Sequence, residues 1–308
     1  MSSKLESIRK RLTSIIIGSE EPAYLMLVGL ITDGHILIQG APGIGKTTLA
    51  ETLAESINGS FSRVQFTPDI LASDLLGYSI YHQSKEEFEF VRGPVFSNVL
   101  LADEINRTSP RVQSSLLECM NERQVSIDGC THKLSLPFMV IATQNNVHST
   151  GTFALPEPQL DRFMLSISMG IPDPETQTKI LLMHSNNDEG SRDFDPLIEL
   201  EEIIEFQSQV KSIHVSENIC RYITDICDGA RRKKGMTHSI SSRAAISLMR
   251  SAQAVAWLEG NKAVYPEDVK SIVGPVLSHR IASNEGLDIG GVSGAELVME
   301  ILNEVEVP

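Results

Sequence analysis

Gly40-Ala41-Pro42-Gly43-Ile44-Gly45-Lys46-Thr47 is the stretch on which the reading of this chain turns. It has the spacing GxxxxGK[ST]. Its glycines let the backbone fold inward, so that several N–H groups cradle phosphate oxygens. Lys46 adds a point charge for the β- and γ-phosphates, and the Thr47 hydroxyl is a hard oxygen ligand suited to Mg²⁺. A helix starting at Thr47, with Thr48 on the same first turn, offers its positive end to the anion. The flanks fit this reading. Residues 35–39 are a short apolar run, and 47–57 carry apolar residues at helical spacing. Strand, loop and helix in that order make this a triphosphate-binding loop rather than a chance glycine turn.

Further runs resemble the one before the loop, at 63–66, 98–102, 137–143 and 163–168. They are too short for helices and apolar nearly throughout. That pattern belongs to strands buried on both faces of a parallel sheet. With a helix expected over 111–122, the first 171 residues read as a doubly wound α/β domain. Pro172-Asp173-Pro174 ends this alternation. Residues 175–184, 197–210, 216–232, 241–259, 266–281 and 294–302 show helical spacing, and no strand is expected among them. Residues 172–308 therefore read as a second, all-helical domain.

The run Val99-Leu100-Leu101-Ala102 ends in Asp103-Glu104. Ligands of open parallel sheets bind beyond the carboxyl ends of strands, which sets this acidic pair beside the phosphate loop. Asp103 would hold Mg²⁺ and Glu104 would polarise an attacking water, which is what phosphoryl transfer asks of a protein. The other reading of the pair is an acidic cap on the following helix. The run 137–143 likewise ends in Gln144-Asn145. Asn145 could hold the attacking water, or could simply occupy a turn.

Bulk properties narrow the choice. The 308 residues are 41% hydrophobic and carry a net charge of −14. A protein gripping nucleic acid by its phosphates wants a basic surface, so nucleic acid is not expected as a partner. The basic run Arg231-Arg232-Lys233-Lys234 reads as a solvated helix end, where cations favour the dipole. The start is polar and charged, and nearby apolar stretches fall short of the about 18 residues a membrane span needs. A cytoplasmic protein is expected. Cys119, Cys130, Cys220 and Cys227 form no CxxC, and the histidines no HExxH, so free thiols are expected and a structural metal site is not.

The chain resembles the MoxR family of AAA+ ATPases along nearly its whole length. The matching stretches are VQFTPDILASDLLG (64–77), GPVFSNVLLADEINRTSPRVQSSLLECMNERQVSIDG (93–129), PFMVIATQNN (137–146), GTFALPEPQLDRFML (151–165), SSRAAISLMRSAQAVAWLEG (241–260) and YPEDV through VLSHR (265–280). The resemblance implies an AAA+ P-loop domain followed by a helical lid, with ATP and Mg²⁺ as cofactors. It gives Asn145 the sensor 1 position. It makes Arg162 the arginine finger that completes a neighbouring subunit's site, with Arg107 and Arg111 as rivals. It makes Arg243 the sensor 2 residue, reaching the γ-phosphate from the lid. Ile16, Ile17 and Gly18 match the segment that packs on adenine. Ser19 and Ser242 stand where the family commonly has Gln and Pro, and Asn146 and Val147-His148 also depart from its pattern. Two segments, 77–93 with Tyr78, Tyr81, Phe88 and Phe90, and the hairpin expected over 124–135, are candidates for a pore or client surface, unless those aromatics are core. The implied function is a ring, a hexamer, doing chaperone-like work on client proteins such as cofactor insertion, beside a partner with a von Willebrand factor A domain. The alternative is the ATPase subunit of a metal chelatase.

Overall fold

The computed structural model describes residues 2–84, 86–145, 152–185, 195–233, 240–281 and 294–308. Asn146, Val147, His148, Gly151 and Lys234 of the stretches read above lie outside the described residues.

In chain order the elements begin with helices α1 (Ser3–Ile15) and α2 (Glu20–Ile31), then strand β1 (Ile36–Gly40) and helix α3 (Lys46–Glu55). The short β2 (Ile57–Asn58), β3 (Phe61–Gln65) and the one-turn α4 (Ala72–Leu76) follow. Next come β4 (Gly77–His82), β5 (Glu87–Arg92), β6 (Val99–Asp103), α5 (Pro110–Glu122), β7 (Gln124–Ile127), β8 (Cys130–Lys133), β9 (Met139–Asn145), the one-turn α6 (Glu157–Leu160) and β10 (Leu165–Met169). The remainder is α7 (Pro174–Ser185), β11 (Ile198–Glu199), α8 (Leu200–Lys211), α9 (Glu217–Arg232), α10 (Ser242–Glu259), α11 (Pro266–Ile281) and α12 (Gly294–Glu304).

The five expected strands make one sheet in the order β10-β1-β9-β6-β3, every neighbouring pair parallel. Successive side chains go to opposite faces. Ile36, Ile38, Leu101, Ile141, Leu165 and Ile167 pack under α1, α2, α3 and the C-terminal helices. Leu37, Leu100, Ala102, Val140 and Ala142 pack on the other face with Leu116, Leu117 and Met120 of α5. Two apolar faces explain the unbroken hydrophobic runs of β6 and β9, both buried almost end to end. The edge strand β3 departs from the reading of 63–66 as doubly buried. Val64 alone of β3 is buried and Phe61 is exposed.

The C-terminal helices pack as a bundle, but 172–308 is not free of strand. β11 pairs in parallel with β2 of the first half, which takes Ile198 and Glu199 out of the helix expected over 197–210. The serines before α9 and α10 are N-caps: Ser216 Oγ accepts from Ile219 N at 3.3 Å and Ser241 Oγ from Ala244 N at 3.2 Å. Of the basic run, Arg231 and Arg232 close the last turn of α9, where Arg232 is exposed, while Arg231 and Lys233 have partners. Arg231 donates to Ile240 O at 2.9 Å, and Lys233 bonds Glu304 of α12 at 2.7 Å. All four cysteines are free thiols, and among the described residues no helix is long and apolar enough to cross a membrane.

Both expected insert segments are hairpins, β4–β5 and β7–β8. They touch each other through Ser79 Oγ and Asp128 Oδ2 at 2.7 Å and through Phe90 stacked on His132, ring centres 4.2 Å apart. Tyr78, Tyr81 and Phe88 are exposed, 73% in the case of Phe88. Phe90 is half-buried in the contact between the two hairpins, and the other three are not.

Candidate active site

The sheet order places the site. From β1 the chain crosses by α3 to the far edge at β3, whereas β9 leads to β10 on the opposite side of β1. Connections leaving the carboxyl ends of β1 and β9 in opposite directions open a crevice between them. A cavity of roughly 650 Å³ occupies that crevice, a volume suited to a small ligand. Pro42 to Thr48 line it, with Gln65, Asp103, Glu104 and Asn145 at the strand ends. It is also walled by Ile15, Ile16 and Ile17 at and after the end of α1, by Pro172 ahead of α7, and by Gln177, Ile180 and Leu181 within α7.

Gly43 and Gly45 take φ of 79° and 90°, left-handed values that cost a side-chain-bearing residue about 1–2 kcal/mol. Those turns aim the loop at its own centre and start α3 at Lys46. Lys46 Nζ donates to Gly40 O at 2.8 Å, Ala41 O at 2.7 Å and Asn145 Oδ1 at 2.7 Å. Burial lowers the Lys46 pKa, while Asp103 and Glu104 pull the other way. Gly40 and Ala41 thus act through their carbonyls. Gly18 is not on the cavity wall but sits in a turn against Thr176 of α7, so of the segment read as the base platform it is Ile16 and Ile17 that line the cavity.

The acidic pair is built by three neighbouring strands. Asp103 is buried, and its Oδ1 accepts from Thr143 Oγ1 of β9 at 2.6 Å. Thr47 Oγ1 lies 3.3 and 3.2 Å from its two oxygens, and Arg63 of β3 donates to Oδ2 at 2.8 Å. Glu104 has φ 56° and ψ 49°, and a non-glycine residue so placed stores about 1–3 kcal/mol of strain. Its N–H is held by Thr143 Oγ1 at 2.9 Å. Its carboxylate takes Asn145 Nδ2 at 2.6 Å, Gln65 Nε2 at 2.9 Å and Arg107 Nη1 at 2.9 Å. Gln65, Thr143 and Arg63 were not singled out from sequence. Gln65 ends β3 beside the acidic pair, and for it strand-tip position was the available signal.

The donor set suits magnesium. Thr47 and Asp103 supply oxygen only, and they are adjacent. Among the described residues no cluster of three or more His, Cys, Asp or Glu side chains could hold a metal unaided.

Arg162 and Arg243 are elsewhere. They share a second cavity of roughly 510 Å³ with Asn121, Arg123, Asp161 and Arg250. With the Asn121 amide turned oxygen-inward, its Oδ1 accepts from Arg162 Nε at 3.0 Å and Nη1 at 3.2 Å. Burial, then the neighbouring Arg243, lowers the Arg162 pKa. Arg243 lines this second cavity and not the cavity of Lys46. The cause is where α10 begins: Ser241, its N-cap, is bonded to Asp161 at 2.8 Å, and Arg243 follows on the first turn. Of the rival fingers, Arg107 is paired with Glu104 of its own chain and Arg111 is exposed at the start of α5.

A parallel sheet with a phosphate loop at its switch point and an acidic pair on the next strand but one defines a P-loop nucleoside triphosphatase. Comparison with known proteins makes the class narrower. Residues 35–165 match the model of the ATPase family associated with various cellular activities, and 229–301 match the AAA lid domain. YeaC of Bacillus subtilis is 38% identical over 299 residues, covering 97% of this chain and 93% of that protein. The chaperone MoxR1 of Mycobacterium tuberculosis is 35% identical over 303 residues, 96% of this chain and 80% of that one. A crystal structure of a candidate ATPase from Cytophaga hutchinsonii superposes with a TM-score of 0.86 at 37% identity, covering 99% of this chain and 95% of that chain. The chain belongs to the MoxR family of AAA+ ATPases, with an AAA and an AAA lid domain, and it is an ATP hydrolase of chaperone-like kind.

Proposed function

We propose that this chain is a Mg²⁺-dependent ATPase that works at the subunit interfaces of a ring, a hexamer, and remodels client proteins with the energy released. The observation that carries this reading is the separation of two half-sites on one chain. One cavity holds Lys46, Asp103, Glu104 and Asn145; the other holds Arg162 and Arg243. A chain that keeps its candidate finger away from its own phosphate loop completes a site by meeting a second copy.

In this reading the triphosphate lies on 40–47 with its base between Ile16, Ile17 and Leu181. Thr47 and Asp103 would hold Mg²⁺, which when bound offsets charge on the β- and γ-phosphates. Lys46 leaves the carbonyls of Gly40 and Ala41 for the phosphates. Glu104 takes a proton from the attacking water, which Asn145 orients. Arg162 of the next subunit, with Arg243 beside it, stabilises charge on the transferring group, an effect worth about 10³–10⁵ in rate in comparable enzymes. Arg243 thus serves in trans. The lid begins near Pro172 and changes angle with nucleotide state. The exposed Tyr78, Tyr81 and Phe88 of the β4 hairpin face the client. The relative named as a chaperone supports protein clients, and the family resemblance supports a partner with a von Willebrand factor A domain and a cytoplasmic setting.

The test is capture with Glu104→Gln, which should bind ATP and stall. Pull-down in ATP and Mg²⁺ should retain client and partner proteins that are released in ADP. An identical retained set in both nucleotides would contradict a nucleotide-driven machine.

A further inference from the structure

Asp161 and Arg280 bind the lid to the backbone of Arg162. Arg280 lies near the end of α11 and is 1% exposed. Its Nε donates to Asp161 Oδ1 at 3.0 Å. Its Nη2 donates to Asp161 O at 3.2 Å and to Phe163 O at 2.7 Å. Those are the carbonyls immediately before and after Arg162, so one guanidinium from the lid brackets that residue. Nη1 is engaged by Met164 O at 3.3 Å and by Val276 O of its own helix. A planar five-donor fork can hold such a set; an ammonium cannot.

Asp161 carries the same link to α10. Its Oδ2 accepts from Ser241 Oγ at 2.8 Å and lies 3.9 Å from Arg243 Nη1. One carboxylate therefore sets both the start of the helix bearing Arg243 and, through Arg280, the loop bearing Arg162. Burial lowers the Arg280 pKa, and Asp161 is the leading opposing influence. A buried ion pair of this sort is weak evidence for stability, since apolar side chains of similar volume often serve as well. Fixing geometry is a better account of its presence.

We propose that Asp161 and Arg280 are positioning residues: they hold Arg162 and Arg243 as one rigid unit with α10 and α11, so that lid movement in one subunit sets the placement of both arginines in its neighbour's site. The inference rests on the reading that Arg162 acts in trans.

Arg280→Lys keeps the charge and loses the bracket. The expected result is a fall in kcat of about 10²-fold, the scale of a misplacement near 1 Å, with KM for ATP unchanged because nucleotide is held by the variant's own loop. Mixing with Glu104→Gln subunits should raise turnover per Arg280→Lys subunit, since the partner brings well-placed arginines to an intact loop. Should Arg280→Lys fail to fold, Asp161→Asn tests the carboxylate's half of the link: the carbonyl bonds of Arg280 survive in it, while the charge that holds Arg280 Nε and faces Arg243 is lost, so a smaller fall in kcat is expected. Arg162→Ala mixed with Glu104→Gln is run alongside. Recovery in both mixtures supports the proposal. Recovery for Arg162→Ala alone overturns it and leaves the trans reading standing. Recovery in neither defeats the trans reading and the proposal with it. Wild-type kcat in both Arg280→Lys and Asp161→Asn also overturns it.

Discussion

The amide nitrogen of Asn145 lies 2.6 Å from Glu104 Oε1, while its amide oxygen accepts from Lys46 at 2.7 Å. One side chain thus touches both the residue proposed to take the proton and the residue proposed to bind the phosphate. Asn145→Ala should lower kcat about 10²–10³-fold, the usual cost of losing one well-placed donor, while freeing Lys46, so that ATP affinity holds or improves. Asn145→Asp should lose kcat and affinity together, because a carboxylate repels Glu104 and tightens its hold on Lys46. Titration of a fluorescent ATP analogue beside phosphate release separates the two. Equal affinity in both variants would remove Asn145 from the control of Lys46.

Glu104→Gln keeps a partner for Gln65 and Arg107 but cannot take a proton. Turnover should fall about 10²–10⁴-fold, the range for a general base, with ATP binding retained. Phosphate release and a binding titration check this. Near-normal turnover would assign proton removal to another group.

Arg162→Ala should cut turnover about 10³-fold or more and leave the subunit's ATP affinity intact, since Arg162 does not line the cavity of Lys46. A fall in affinity measured on isolated subunits would place Arg162 in its own chain's site.

His35 gives a pH signature. It is buried, its Nδ1 accepting from Val140 N at 3.0 Å and its Nε2 donating to Met120 O at 3.1 Å, so both nitrogens are committed to the neutral ring. Burial pushes its pKa from 6.5 down to about 4. Between those values the unfolded chain takes up a proton that the folded chain refuses. Stability is therefore full above pH 6.5 and is lost as pH falls through the window toward 4, by about 3 kcal/mol in all. His35→Gln keeps a donor and an acceptor without titrating. Its Tm should vary less with pH across that window; His279, also buried and pushed well below its ordinary value, leaves a common residual slope. Equal slopes in the two proteins would deny His35 this role.

The central strands were legible because burial on two faces writes an unbroken apolar run, as in β6 and β9. The phosphate loop was legible because glycine spacing and Lys46 are local. The N-terminal helices were not: seven consecutive buried residues from Leu25 to Ile31, with Ala23 besides, hide the period of α2 on all sides. β11 was missed because a two-residue pairing with β2 leaves no pattern. The arginines show the deeper limit. Helical spacing tells which face of α10 is apolar, but where its first turn docks is decided by Ser241 and Asp161, far apart in sequence. Arg243 could be recognised from its own stretch, but the cavity it lines could not be read there.

The most direct measurement is a crystal structure with Mg²⁺ and a non-hydrolysable ATP analogue. The triphosphate should lie on 40–47, with Lys46 released from Gly40 O and Ala41 O, Asp103 facing the ion and Glu104 beyond the γ-phosphate. Nucleotide bound anywhere else, or the loop filled with Lys46 still on its two carbonyls, would contradict the account.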